Sequence, residues 1–595
     1  MKYLFKSFGF FLILLASVSS IKAQNPNVVF ILTDDQGYGD IGAHGNKNIK
    51  TPHLDALYRN SIRFTDFHVA TTCAPSRSGL LTGKYCNRVG VWHTILGRQI
   101  LAREEKTIAE LFQKAGYRTG IFGKWHLGDN YPYRPQDRGF DETLIHGGGG
   151  ITQAPDYWNN DYFDDVYLHN GKPKKFEGYC NDVWFEEATS FILKNKKKPF
   201  FCYIPTNSPH GPYHIEDAFS APYKNNPEIP NPNFYGMITN IDQQVGKLID
   251  RLKKEGLYEN TIFVFMTDNG TAAGVKFGKD NAVVSGFNAG MRGTKGSPYE
   301  GGHRVPFYLH WAKGGYNKGQ DIDQLAAYTD FMPTLLDLCG LKNATPEKLD
   351  GNSLLPILKN QASSWPDRTF VVDVQREENL VKYKQYSVMT TDWRLVNGKE
   401  LYKIKTDPGQ TTNLAGNNPQ KVAELKAAYE DWWKINSERE DEFSRVIIGS
   451  KFENPTALTS HDIHVEAKDY PAWNQMQVRA GAGANGYWAL EVSESGQYDI
   501  ELRRYPVESK LALGASAPEG DRVPGGSPYR PGVPLKITKM KLKIGDKVLE
   551  KSVQPTDLGG VFQVQLQKGD LDLWSYMVDD SGKELGAFYL YIKKR

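Results

Sequence analysis

The sequence predicts an α/β fold: a large sheet sandwiched by helices, a small C-terminal α+β subdomain and an extra β-sandwich tail. Three observations predict it. Across residues 25–358, short β-branched or apolar runs alternate with stretches of helical period. From about residue 366 to 441 the runs become those of a small sheet closed by one helix. From about Val446 the chain is β-rich, with glycine, proline and alternating runs.

In the first block, residues 27–32, 118–122, 200–204, 262–266 and 305–309 read as buried strands. Between them lie helical patterns at 106–115 and 235–254, the latter apolar at Met237, Ile241, Val245, Leu248 and Leu252. Strands alternating with helices imply a mainly parallel sheet covered on both faces. In the second block, 370–372, 386–389 and 393–396 read as strands and 421–433 as the closing helix. In the tail, 487–492, 498–502, 540–544 and 587–592 read as strands, and 515–534 as a Gly/Pro-rich loop. The expected division is a leader over 1–23, an α/β domain over 24–360, a subdomain over 361–445 and a β-rich accessory domain over 446–595.

The leader combines Lys2 and Lys6, an apolar run over 8–18 and a small residue, Ala23, at its end. That is the pattern of a cleaved signal peptide and predicts a secreted or periplasmic protein. The run is short for a bilayer span and no long uncharged run follows it, so no transmembrane segment is expected in the mature chain. The formal net charge of +3 on 595 residues offers no bulk charge for a nucleic-acid partner. An anionic ligand would have to be met by a few placed cations. The five cysteines include no CxxC pair, which argues against a thiolate metal site, and an odd number leaves at least one unpaired in an exported chain.

The polar motifs follow the predicted strands: Asp34-Asp35, Gly123-Lys124-Trp125-His126 and Asp268-Asn269-Gly270. Open α/β sheets place ligands beyond the carboxyl ends of their strands, so these groups are expected to converge. Taken singly, the acids read equally as a helix cap or a ligand pair, and Asp-Asn-Gly equally as a turn. Thr72-Cys73-Ala74-Pro75-Ser76-Arg77 puts a thiol beside a fixed turn and a guanidinium at a predicted helix start, where negative charge is favoured.

That motif, continued through Ser78-Gly79-Leu80-Leu81-Thr82-Gly83, resembles the signature of type I, formylglycine-dependent sulfatases of the alkaline phosphatase superfamily. The resemblance implies that Cys73 is oxidised to formylglycine (3-oxoalanine) by a maturation enzyme. It also implies that the aldehyde hydrate attacks sulfur and that its second hydroxyl later expels sulfate. The large sheet would then be mixed. The metal, Ca2+ or Mg2+, would be held by Asp34, Asp35, Asp268, Asn269 and residue 73. The segment Gly123–Gly128 resembles the family's, with Lys124 holding sulfate and His126 contacting the formylglycine. His210, in Asn207-Ser208-Pro209-His210, would protonate the leaving alcohol, Lys295 would bind sulfate, and Arg77 would contact formylglycine and metal ligands. The resemblance runs from about residue 25 to 433.

A sulfated saccharide, with galactose or N-acetylgalactosamine sulfate first, is the expected substrate. His93, Thr94, Arg98 and His303 are candidate subsite residues, a structural role for His93 remaining equally open. Two rival readings are a formylglycine-dependent phosphonate or phosphodiester hydrolase and an inactive glycan-binding protein. In the tail, Trp473, Tyr487 and Trp488 read as sandwich core ahead of carbohydrate-stacking rings.

Overall fold

The computed structural model describes residues 25–279, 282–342, 344, 348–360, 365, 367–465 and 470–595. The leader therefore lies outside the described residues. Among those described, no helix is long and apolar enough to cross a membrane.

Four strands form the centre of a ten-stranded sheet: β1 (Asn27–Thr33), β2 (Arg118–Lys124), β3 (Phe200–Pro205) and β4 (Thr261–Thr267). They run in the order β4-β1-β3-β2, all parallel. β1 and β4 are buried at every position, as strands covered on both faces must be. Val28, Phe30 and Leu32 of β1 join a core with Leu80, Leu81 and Phe331. Val29 and Ile31 point the other way, into a core with Trp184, Ile241 and Val245.

The sheet is mixed. Glu142–His146 extends it parallel to β2, but Phe307–His310 is antiparallel to β4 and to Ile62–Phe64. Val166–His169 and Lys172–Lys175 close the other edge as an antiparallel pair of strands. The mixed sheet with a parallel centre is as expected, while apolar runs carry no sign of which flanking strands run antiparallel.

Downstream, Phe370–Asp373, Tyr386–Met389, Trp393–Val396 and Glu400–Lys403 make an antiparallel four-stranded sheet. Helix Pro419–Asn436 covers it through Leu425, Tyr429 and Trp433. The tail holds a six-stranded and a four-stranded sheet around one core. That core is not its own alone. Ile95, Leu96, Ile100, Tyr133 and Trp158 of the α/β block are buried in it.

Candidate active site

Cys73 opens a helix, α1 (Cys73–Thr82), in which every residue is buried. Thr72 before it is extended, at φ −146° and ψ 162°, so the cysteine sits at the positive end of the helix. Pro75 falls in the first turn, where its missing N–H leaves no bond unmade. The end of β1 supplies Asp34 and Asp35, the latter in the left-handed region at φ 70°. The ends of β2 and β4 supply Lys124 and Asp268-Asn269.

Hydrogen bonds lock these ends together. The Asp35 N–H donates to Asp268 Oδ1 at 3.1 Å, and Asn269 Nδ2 donates to Asp35 Oδ1 at 2.9 Å. Arg77 donates through Nε and Nη2 to Asp268 Oδ2, at 3.1 and 2.8 Å, and through Nη1 to the Lys124 carbonyl at 3.1 Å. Lys124 Nζ reaches Asp34 Oδ2 at 2.7 Å. Lys295 Nζ lies 2.5 Å from Asp35 Oδ1 and 3.6 Å from Cys73 Sγ, and His210 Nε2 lies 3.8 Å from Asp35 Oδ2.

Two oxygens are left over. Asp34 Oδ1 and Asn269 Oδ1 are buried without a hydrogen-bond partner, and Arg77 Nη2 comes only to 4.0 Å of the first. Such orphans cost free energy that a hard cation can relieve. Asp34, Asp35 and Cys73 also offer ligand atoms within 4.8 Å of one another. Asp34, Asp35, Asp268 and Asn269 thus fit an oxygen-liganded divalent ion.

The electrostatics follow from burial and neighbouring charge. Burial and then the Asp34 charge push the Cys73 thiol up to about 11, against Lys124 and Lys295. Asp268 rises to about 6, because burial and Asp34 outweigh Arg77 and Lys124. Burial would raise Asp35 too, but Lys295, His210 and the Asn269 amide hold it below the usual range. Burial is the main force lowering His210, to about 4, with Lys295 and Lys124 adding to it against Asp35. His126 is held neutral by burial and Lys124.

The histidine tautomers can be assigned from their acceptors. His126, at φ 62°, donates from Nε2 to the Thr94 carbonyl at 2.8 Å, so its Nδ1 carries the lone pair and is buried without a partner. His210 donates from Nδ1 to the Gly211 carbonyl at 2.6 Å, leaving Nε2 free to titrate. His93 accepts at Nδ1 from the Thr94 and Ile95 N–H groups, at 2.7 and 3.2 Å, and its Nε2 is a buried donor without a partner.

A cavity of about 200 Å³ opens over Cys73, lined also by His126, His210, Lys295, His93 and Thr94. Arg98 and His303, candidates for the same subsite, do not reach it. Arg98 is buried against the Trp92 ring at 4.4 Å and donates to the carbonyls of Glu378 and Glu442. His303 is fully buried, bonded to His68 Nδ1 at 2.9 Å and to the Pro298 carbonyl at 3.1 Å, beside the Arg394–Glu300 ion pair. Both serve charge networks inside the protein.

Sequence reasoning missed Gln153, Arg376, Tyr470 and Gly149 on the cavity wall. Only Gly149 left a signal, the run of glycines at 147–150: a Cβ there would lie 2.3 Å from the His126 ring. Trp473 packs against the tail core and also lines the cavity, whereas Trp488 is core at 1% exposure. All five cysteines are buried and free.

Comparison with known proteins agrees with this geometry. The sulfatase family model matches residues 26–341, and that of the N-sulphoglucosamine sulphohydrolase C-terminal region matches 294–434. The N-acetylgalactosamine-6-sulfatase of Mus musculus is 30% identical, covering 66% of this chain and 77% of its own. The ulvan-active sulfatase of Formosa agariphila is also 30% identical, with the same shares of 66% and 77%. The crystal structure of Ps i-CgsB in complex with k-i-k-neocarrahexaose superposes with a TM-score of 0.62 at 29% identity, over 71% of this chain and 95% of that one. With more than half its length matched and its strand-end groups converging on Cys73, the chain belongs to the sulfatase family and is a sulfatase, a hydrolase of sulfate esters.

Proposed function

We propose that the enzyme removes sulfate from a sulfated saccharide, with residue 73 oxidised to formylglycine and calcium held by Asp34, Asp35, Asp268, Asn269 and residue 73. The observation that carries this reading is the convergence on Cys73 of two lysines, two histidines and a carboxylate cluster with orphaned oxygens. As a thiol, Cys73 is a poor nucleophile, because at about 11 it stays protonated near neutrality. Oxidation would give residue 73 a hydrated aldehyde, with one oxygen to attack sulfur and a second hydroxyl to release sulfate afterwards. Bound calcium would supply positive charge for a sulfate oxygen and favour the deprotonated nucleophile.

The chain's own residues do the rest. Lys124 and Lys295 clamp sulfate oxygens, and Arg77 fixes the Asp268 carboxylate. His210 Nε2 gives a proton to the leaving alcohol. Burial and the two lysines lower the His210 pKa, and a bound sulfate would offset the lysine charge. His126 Nδ1, neutral and unpartnered, takes the proton when sulfate departs. His93 Nε2 is a donor for a sugar oxygen.

The saccharide assignment draws on the names of the relatives above; an N-acetylgalactosamine sulfate comes first on the name of one of them, with a galactose sulfate kept beside it. The leader supports export, and the chemistry at residue 73 requires a maturation enzyme as partner. The division at 24–360, 361–445 and 446–595 follows the changes in pattern along the chain. The test is sulfate release over defined sulfated mono- and oligosaccharides, using protein whose residue-73 peptide is shown by mass spectrometry to carry the aldehyde. Cys73→Ala should lower release at least ~10³-fold with an unchanged melting temperature. Full turnover by protein carrying only the thiol would sink the formylglycine assignment.

A further inference from the structure

Beside the catalytic cavity lies a larger one of about 440 Å³, a size suited to a small-molecule ligand. Gln153, His210 and Trp473 belong to the walls of both cavities. The far wall comes from the tail, through Asn474, Met476, Val523, Ser527, Tyr529 and Arg530.

That wall is welded to the α/β block. Tyr529 Oη donates to the Asn160 carbonyl at 2.7 Å, and Asn233 Nδ2 donates to the Gly525 carbonyl at 2.6 Å. Arg479 donates to the Pro518 carbonyl at 2.7 Å and to Asn159 Oδ1 at 2.6 Å, with its guanidinium 4.7 Å from the Tyr529 ring centre. Gly525 and Gly526 are needed for this approach. A Cβ at Gly525 would lie 2.0 Å from the Ile215 carbonyl oxygen, and one at Gly526 2.2 Å from the His214 ring. On the near side, the Ala154 N–H donates to the Trp473 carbonyl at 2.9 Å and the Gln475 N–H to the Thr152 carbonyl at 3.0 Å. The cavity is preformed by contacts between the two parts of the chain.

We infer that this second cavity is the subsite for the saccharide unit adjoining the sulfated one, built by the tail to select oligosaccharides over monosaccharides. The inference rests on the saccharide sulfatase reading and deepens it. The leaving alcohol takes its proton from His210, so the sugar that bears it stands at His210. That side chain is in the wall common to both cavities, so a glycan continuing from this sugar passes along Trp473 into the larger space. The walls suit it: Trp473 and Tyr529 give aromatic surface for a pyranose ring, and Gln153, Asn474 and Ser527 offer hydroxyl partners. Arg530 is an exposed cation at the rim, placed for a second sulfate or a carboxylate.

The experiment compares sulfated hexasaccharides from a galactan, ulvan and chondroitin sulfate with the matching monosaccharides, in wild type and in two variants. Ser527→Trp fills the cavity and Arg530→Ala removes the rim cation. Wild type should prefer a hexasaccharide at least ~10-fold in kcat/KM, a factor that ordinary pocket contacts provide. Each variant should raise the hexasaccharide KM severalfold with little change in kcat. Equal kcat/KM on the two sizes overturns the inference, as does a hexasaccharide KM unmoved in both variants. Failure to cleave any hexasaccharide while p-nitrophenyl sulfate is hydrolysed overturns it too. The catalytic reading fails separately, if Cys73→Ala retains p-nitrophenyl sulfate turnover.

Discussion

The Lys295 ammonium stands 3.6 Å from the Cys73 sulfur. The same nitrogen holds Asp35 Oδ1 at 2.5 Å, and the side chain is still 19% exposed on the cavity side. It is therefore a cation set at once against Cys73, the Asp35 carboxylate and the open cavity, as the proposed sulfate clamp requires. Lys295→Ala should lower kcat/KM by about 10²–10³, the usual cost of removing one charge-stabilising donor. Lys295→Arg should recover part of that loss, since it restores the charge with altered geometry. Sulfate release by both variants checks this, and an Ala variant within threefold of wild type would remove Lys295 from the sulfate clamp.

The orphaned oxygens of Asp34 and Asn269 predict a metal effect that can be read without any substrate. Chelation should lower the melting temperature and added calcium should restore it. At a free concentration near 100 times Kd the stabilisation is about 2.7 kcal/mol. In Asp34→Ala the calcium-dependent shift should vanish, whereas a shift of wild-type size would exclude Asp34 from the ligand set.

Asp40 gives a pH prediction away from the chemistry. Its carboxyl is fully buried and pushed up to about 7 by burial, against hydrogen bonds from Thr271 and the Gly37 N–H. The folded state thus binds a proton near pH 5 and 6 that the unfolded chain has released. The stability this supplies is full below about pH 4 and is lost as pH rises through 7. Asp40→Asn keeps an acceptor for Gly37 and has no proton to lose. Its stability relative to wild type should therefore grow by a few kcal/mol between pH 5 and 8, as followed by denaturant unfolding. A parallel pH dependence in the two proteins would contradict the assignment.

Much of this site was legible because its groups are strand-end motifs. The hydrophobic runs over 27–32 and 262–266 place Asp34-Asp35 and Asp268-Asn269 at neighbouring strand ends whenever the strands pair, and here they do. Cys73 and Arg77 share one short helix, so their relation is nearly local. Arg376 and Tyr470 were illegible for the opposite reason. They come from loops whose positions depend on how the small sheet and the tail pack, and no local pattern records that. Arg98 and His303 misled because a polar residue near a motif looks the same in sequence whether it faces a cavity or a buried carbonyl. Their partners, Glu378, Glu442 and His68, are far away in the chain. The antiparallel flanks of the sheet were hidden likewise, since a short apolar strand carries no sign of its direction.

The shared core makes a final prediction about the tail. Ile95, Leu96, Ile100, Tyr133 and Trp158 belong to the α/β block, yet all are buried among tail residues such as Leu458, Trp488 and Leu590. Deleting residues 446–595 would return these side chains to water at roughly 1.5–3 kcal/mol for each fully uncovered one. Together that rivals the whole stability of an ordinary domain, about 5–15 kcal/mol. The Tyr133 hydroxyl would also lose its acceptor geometry at the Arg445 carbonyl, now held at 2.8 Å by the chain entering the tail. The truncated protein should therefore aggregate or melt far below the full chain, rather than persist as an active enzyme that merely binds glycans less well. A soluble truncation with the wild-type melting temperature and full p-nitrophenyl sulfate turnover would mean that the tail is an independent module.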